Sequence, residues 1–181
     1  MTLVLQALNE APAGAFRAAL GPLFESAPRF LARLAAERPF DSWDGLLEIA
    51  RAIAQVMPEA EQIELVDAHP RLGAAPGTVS AMSFREQGYD APAAGRPGER
   101  RPADDATARH VAAELARLND AYEARFGFRY CVFVAGRSRA ALLPDMRAAL
   151  KADRGAELHR ALDAVVDIAQ ARLAALQGGA A

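Results

Sequence analysis

The chain is poor in cysteine, in histidine and in unbroken apolar sequence, and each shortage closes off a class of function. A single cysteine, Cys131, among 181 residues rules out an intramolecular disulfide and any zinc site built from several thiolates, and it fits a reducing compartment. No apolar run approaches the ~18 residues that a membrane-spanning helix needs. Residues 1 to 30 lack the basic start and apolar stretch of a secretory signal, so a cytoplasmic protein with no membrane partner is expected. The C-terminal Gly-Gly-Ala-Ala is not a peroxisomal address. Charge of neither sign dominates: Lys and Arg number 21 against 23 Asp and Glu, a net −2, which gives no electrostatic reason to expect nucleic acid. A small-molecule ligand or a protein partner fits better. No H-E-x-x-H spacing supports a catalytic metal, no Gly-rich loop would cradle a phosphate, and neither Ser80 nor Ser138 sits in a nucleophile elbow.

What the sequence does have is helical periodicity. Hydrophobic residues make up 52% of the chain, enough for the core of one domain spanning 1–181. Trp43, Leu46, Leu47, Ala50, Ile53, Ala54 and Met57 recur at the spacing of one helix face, with Ser42 or Asp41 as cap. A second stripe runs through Ala108, Val111, Leu115, Leu118, Tyr122 and Phe126 to a stop at Gly127, and a third through Leu158, Leu162, Val165, Ala169, Leu173 and Leu176. Shorter helices are expected near 12–20, 27–37, 58–68 and 138–150, with Pro58 in a first-turn position. The fold class is therefore all-α, a single compact domain of about seven to nine helices.

One segment breaks the pattern. Arg129-Tyr130-Cys131-Val132-Phe133-Val134 has the β-branched and aromatic content of a strand but no partner strand. A lone extended segment near 129–134 must satisfy its backbone elsewhere, including on a ligand, so it is expected to line a site. Residues 88–105, rich in Pro, Gly, Ala and Arg, read as a long surface loop, and 178–181 as a disordered tail.

Four features could carry chemistry. His69, in Asp67-Ala68-His69-Pro70-Arg71-Leu72-Gly73, stands at a helix-to-loop break; with an ordinary pKa of about 6.5 it can exchange a proton near neutrality, or it can simply cap the exposed carbonyls of the helix. Ser83-Phe84-Arg85-Glu86-Gln87 has the S-x-x-E spacing of a capping box, or it groups a hydroxyl, a carboxylate and an amide that hold a small polar ring. Arg172 projects within about 20° of Val165 on the inner stripe of its helix, so its guanidinium either snorkels out, pairs with a protein carboxylate or meets an anionic ligand. Cys131, in an apolar run, reads as a buried inert thiol in preference to a nucleophile, and His110 and His159 as surface residues.

Taken in order, Ala68-His69-Pro70-Arg71-Leu72-Gly73, Ser83-x-x-Glu86-Gln87 and Leu118-Asn119-x-x-Tyr122-x-x-x-Phe126-Gly127-Phe128, together with Phe24-Glu25-x-x-Pro28, Arg38-Pro39-Phe40, Gly136-Arg137-Ser138 and Arg172-Leu173, resemble the OHCU decarboxylase family. The resemblance spans nearly the whole chain and implies a cofactor-free, all-helical, commonly dimeric carboxy-lyase. Its reaction would be decarboxylation of 2-oxo-4-hydroxy-4-carboxy-5-ureidoimidazoline to (S)-allantoin in urate catabolism. It also implies catalytic roles for His69, Glu86 and Arg172, and substrate contacts at Pro70, Ser83 and Gln87 and along the backbone at Phe128, Tyr130, Cys131 and Val132. The sequence departs from the family pattern at Gly88-Tyr89-Asp90 and at Arg129, where a proline is common. Two alternatives are a relative that acts on another ureido or imidazoline acid, and a non-catalytic helical interaction module.

Overall fold

The computed structural model describes residues 3–87 and 102–178. Their regular structure is entirely helical: α1 (Leu5–Glu10), α2 (Ala13–Leu20), α3 (Pro28–Ala36), α4 (Trp43–Val56), α5 (Glu59–Asp67), α6 (Ala81–Glu86), α7 (Pro102–Phe126), α8 (Arg139–Ala149) and α9 (Arg154–Gly178), with 3₁₀ turns at Gly21–Leu23 and Pro76–Thr78. Among the described residues there is no strand, and no helix is long and apolar enough to cross a membrane. Residues 129–134 have no regular structure, as their missing partner strand requires.

The chain divides into two compact units. The first comprises Met1–His69, Cys131–Phe133 and Gly155–Ala181; the second comprises Pro70–Tyr130 and Val134–Arg154.

In the first unit, the fully buried Phe16, Leu20, Leu23, Phe24, Phe30, Leu34, Leu46, Leu65, Leu162 and Val165 form the core. Helix α4 shows how the sequence builds it: the Ser42 hydroxyl accepts the Gly45 N–H at 3.0 Å, satisfying a donor that the first turn leaves open. Leu46, Leu47, Ala50 and Ala54 then face inward. Pro58 precedes α5 as its cap, one position before the first turn. Two polar side chains close the N-terminal helices onto the α3–α4 connection. Asn9 Nδ2 donates to the Phe40 carbonyl at 2.8 Å and Asn9 Oδ1 accepts the Phe40 N–H at 3.0 Å. Arg38 donates to the carbonyls of Leu8 and Ala11 at the end of α1 and lies 4.9 Å from the centre of the Phe16 ring.

In the second unit, the stripe on α7 is buried from Leu115 through Leu118 and Tyr122 to Phe126, whereas Ala108 and His110 are exposed. Helix α7 ends at Gly127, whose φ of +77° suits the left-handed residue that closes many helices. The reversal folds Phe128 and Tyr130 back on Tyr122, at ring separations of 5.7 and 5.1 Å. The expectation of a surface loop over 88–105 is corrected at its C-terminal end. Residues 88–101 lie outside the described residues, and 102–105 begin α7, because Pro102 is preset for a first helical position. The expected tail is likewise cut: Gly178 ends α9, and 179–181 lie outside the described residues.

Asn9→Ala removes the two hydrogen bonds that this side chain makes to the backbone N–H and C=O of Phe40. It should lower unfolding stability by about 1–3 kcal/mol in urea titration, with little change in helical content.

Candidate active site

In the first unit the site is built on the end of α5. After Asp67 the Ala68 N–H bonds to Glu64 O at 3.0 Å and the His69 N–H to Val66 O at 3.1 Å, and Pro70 stops any further turn. The His69 ring is folded back over this end, 4% exposed, with Nδ1 3.1 Å from the Leu65 carbonyl. A carbonyl only accepts, so Nδ1 carries the proton and Nε2 keeps its lone pair. His69 therefore does cap a helix carbonyl, and the cap itself selects the tautomer. Burial and the neighbouring Arg172 charge push the imidazole down to about 4, against smaller opposing effects of the Leu65 bond and Glu25. At neutral pH it is an uncharged base.

Arg172 on α9 is 3% exposed. Of the three fates open to it from sequence, pairing with a protein carboxylate is realised: Nη2 donates to Glu25 Oε1 at 2.8 Å, and Nη1 to the carbonyls of Pro22 and Leu23 at 2.8 and 3.4 Å. Glu25 and Ser26 both have positive φ, +48° and +59°, and Gly21 beneath them makes room, since a Cβ there would come within 2.9 Å of Ser26 Oγ. Glu25 lies in Phe24-Glu25-x-x-Pro28, where the resemblance implies no role for it. The available signal was one acidic residue between buried Phe24 and Ala27, with one inward-facing arginine far away in sequence. Cys131 is buried and Val132 half-buried, both in this unit.

In the second unit the loop after His69 is held at three successive residues. Gln87 Oε1 accepts the Gly73 N–H at 2.8 Å and Gln87 Nε2 donates to the Arg71 carbonyl at 3.2 Å. Asn119 Nδ2, on α7, donates to the Leu72 carbonyl at 3.0 Å. The Arg71 side chain bridges Glu123 and Asp120. Gly73 has φ +82°, and a Cβ there would meet Leu115 Cδ1 at 3.1 Å. The roles of Asn119 and Arg71 were not legible beforehand.

The capping-box reading of Ser83 is corrected. The cap of α6 is Ser80, whose hydroxyl accepts the Ser83 N–H at 3.1 Å. Ser83 thus lies inside α6, buried, one turn before the half-buried Glu86 at the helix end. Two serines three residues apart offered two registers, and the one that starts the helix earlier forms. Ser83 and Glu86 consequently share a face at i, i+3. The Gln87 carbonyl accepts from Arg139 at 3.3 Å, and the rings of Phe128 and Tyr130 are taken up in packing on Tyr122.

The family model for OHCU decarboxylase matches residues 9–174. The chain is 30% identical over 172 residues to a 2-oxo-4-hydroxy-4-carboxy-5-ureidoimidazoline decarboxylase of Haloferax volcanii, covering 95% of each. It is 30% identical over 167 residues to the uric acid degradation bifunctional protein PucL of Bacillus subtilis, covering 92% of this chain and 31% of that protein. In fold it is similar to an OHCU decarboxylase solved in the presence of (S)-allantoin, with TM-score 0.64 at 20% identity, covering 88% of this chain and 97% of that one.

Two outcomes are expected. The imidazole of His69 binds its proton more weakly folded, at about 4, than unfolded, at about 6.5. Its contribution is therefore complete above pH 6.5 and lost as the pH falls toward 4, a decline of up to about 3 kcal/mol. Denaturant titrations across that window should show the decline in wild type and a shallower one in His69→Leu. Gly73→Ala, strained in φ and crowded by Leu115, should cost about 1–3 kcal/mol in the same measurement at pH 7.

Proposed function

Because the chain belongs to the OHCU decarboxylase family, we propose that it is a carboxy-lyase of urate breakdown, releasing carbon dioxide from 2-oxo-4-hydroxy-4-carboxy-5-ureidoimidazoline and yielding (S)-allantoin. Its working form is a cytoplasmic homodimer in which the whole chain serves as one catalytic domain. The observation that supports the mechanism most directly is the buried, uncharged His69 with its Nδ1 proton on Leu65.

The substrate bears a hydroxyl and a carboxylate on one ring carbon. When carbon dioxide leaves, the bonding pair delocalises into the adjacent C=N unit, and the ring nitrogen takes a proton from solvent. The hydroxyl must then become a carbonyl and the ureido-bearing carbon must gain a proton. Nε2 of His69 accepts the hydroxyl proton, and the resulting imidazolium returns it to carbon from one face, which fixes the enantiomer. The overall reaction consumes one proton, as decarboxylation of a carboxylate to a neutral product requires.

The other groups carry the charge and the orientation. Arg172 supplies a fixed positive charge for an anionic or carbonyl oxygen. Glu86 receives the ring and ureido N–H groups, Ser83 and Pro70 contact the substrate, and the backbone at Phe128, Tyr130, Cys131 and Val132 contributes hydrogen-bonding groups. Gln87, with its amide bonded to Arg71 and Gly73, serves the substrate by holding that loop.

Circular dichroism at an allantoin band, with urate oxidase and hydroxyisourate hydrolase generating the substrate in situ, tests the proposal. Wild type should produce one enantiomer rapidly, and His69→Ala should be slower by about 10²–10⁴-fold. Slow racemic product with wild type would refute it.

A further inference from the structure

We infer that Glu25 is a positioning residue of this reaction, holding the Arg172 guanidinium in place and balancing its charge beside His69. The inference rests on the assignment of His69 and Arg172 to the chemistry.

The arrangement is more specific than an ion pair that fastens a helix. The 3₁₀ turn and the two left-handed residues after it aim three acceptors, the carbonyls of Pro22 and Leu23 and the carboxylate of Glu25, at one guanidinium. The Glu25 bond is made by Nη2 and the carbonyl bonds by Nη1, so the planar fork is fixed in rotation as well as in place. Non-glycine residues adopt left-handed backbone at a cost, and here two in succession do so to bring a carboxylate to Arg172. Glu25 is also felt at His69: among the groups acting on the ring, Arg172 from α9 opposes protonation, whereas Glu25 from the turn and the Leu65 carbonyl from α5 favour it. Replacing the carboxylate by an amide of the same shape removes the Glu25 charge from beside the guanidinium and leaves it less firmly oriented.

The test uses Glu25→Gln, Arg172→Met and the double variant in the full-length protein, with two readouts. The first is the rate of allantoin formation. Glu25→Gln should lower kcat/KM by about 10–100-fold, the scale of a misplaced group, and the double variant should be no slower than Arg172→Met, since the proposed role of Glu25 acts through that guanidinium. The second is NMR titration of the His69 imidazole, with exposed His110 and His159 as reference signals; its midpoint should fall in Glu25→Gln and rise in Arg172→Met. The double variant removes both charges of the pair and so keeps the test open if Glu25→Gln alone fails to fold.

Losses that multiply in the double variant, or a His69 midpoint unmoved by Glu25→Gln, would overturn the role of Glu25. An inactive wild type would instead refute the decarboxylase reading, while the His69 titration would still report on the Glu25–Arg172 pair.

Discussion

A guanidinium cannot be taken out of water alone, and the burial of Arg172 constrains the first unit around it. Removing one partner of a buried ion pair costs about 3–5 kcal/mol, a large share of the stability of a domain this size. The segment from Gly21 to Ser26 is shaped accordingly. Gly21 leaves space that a Cβ would take from Ser26 Oγ, Glu25 and Ser26 turn left-handed, and the Ser26 N–H closes the turn on Gly21 O at 2.8 Å. Phe24 and Ala27 bury their side chains on either side. The turn is thus anchored by apolar residues and aimed by polar ones, and Arg172 pins α9 to it.

The second unit solves a different problem, that of holding an irregular loop still. Groups that act on a substrate need placement to within a fraction of an ångström, and loops are the least rigid part of a fold. Here the loop from Arg71 to Gly73 acquires a rigid frame at each residue, from Gln87, Asn119 and the Arg71–Glu123 pair. Gly73 is the one residue type that fits both the positive φ and the approach of Leu115. The Gln87 amide bonds on two sides of the loop at once, which ties α6, with Ser83 and Glu86, to the residues that follow His69 in the chain.

How much of this was legible depended on the range of the interaction that fixes each feature. Helix α4 could be read almost residue by residue because its cap and its stripe are local, and the end of α7 at Gly127 likewise. Helix α6 was misplaced by one turn because Ser80 and Ser83 both satisfy the local rule, and only the folded chain chooses between them. The inward direction of Arg172 followed from helix geometry, but its partner lies 147 positions away in a turn whose left-handed residues are a glutamate and a serine, which the sequence does not mark. Asn119 sits within Leu118-Asn119-x-x-Tyr122, yet its bond to Leu72 is a contact between a helix and a loop 47 positions apart. Nothing in the spacing of either segment announces it.

In the proposed mechanism the protonation state of His69 decides the order of events. A histidine exposed at a helix end is about half charged near pH 6.5 and can begin as an acid. Buried beside Arg172, with Nδ1 committed to Leu65, this one begins uncharged and has a lone pair on Nε2 to offer. It must therefore take a proton before it can give one. The charge it then acquires is opposed by Arg172 and favoured by Glu25, so the imidazolium is held at high energy and returns its proton readily. A base that is weak in the resting protein becomes a strong acid once loaded, and that asymmetry suits a reaction whose last step is delivery of a proton to carbon.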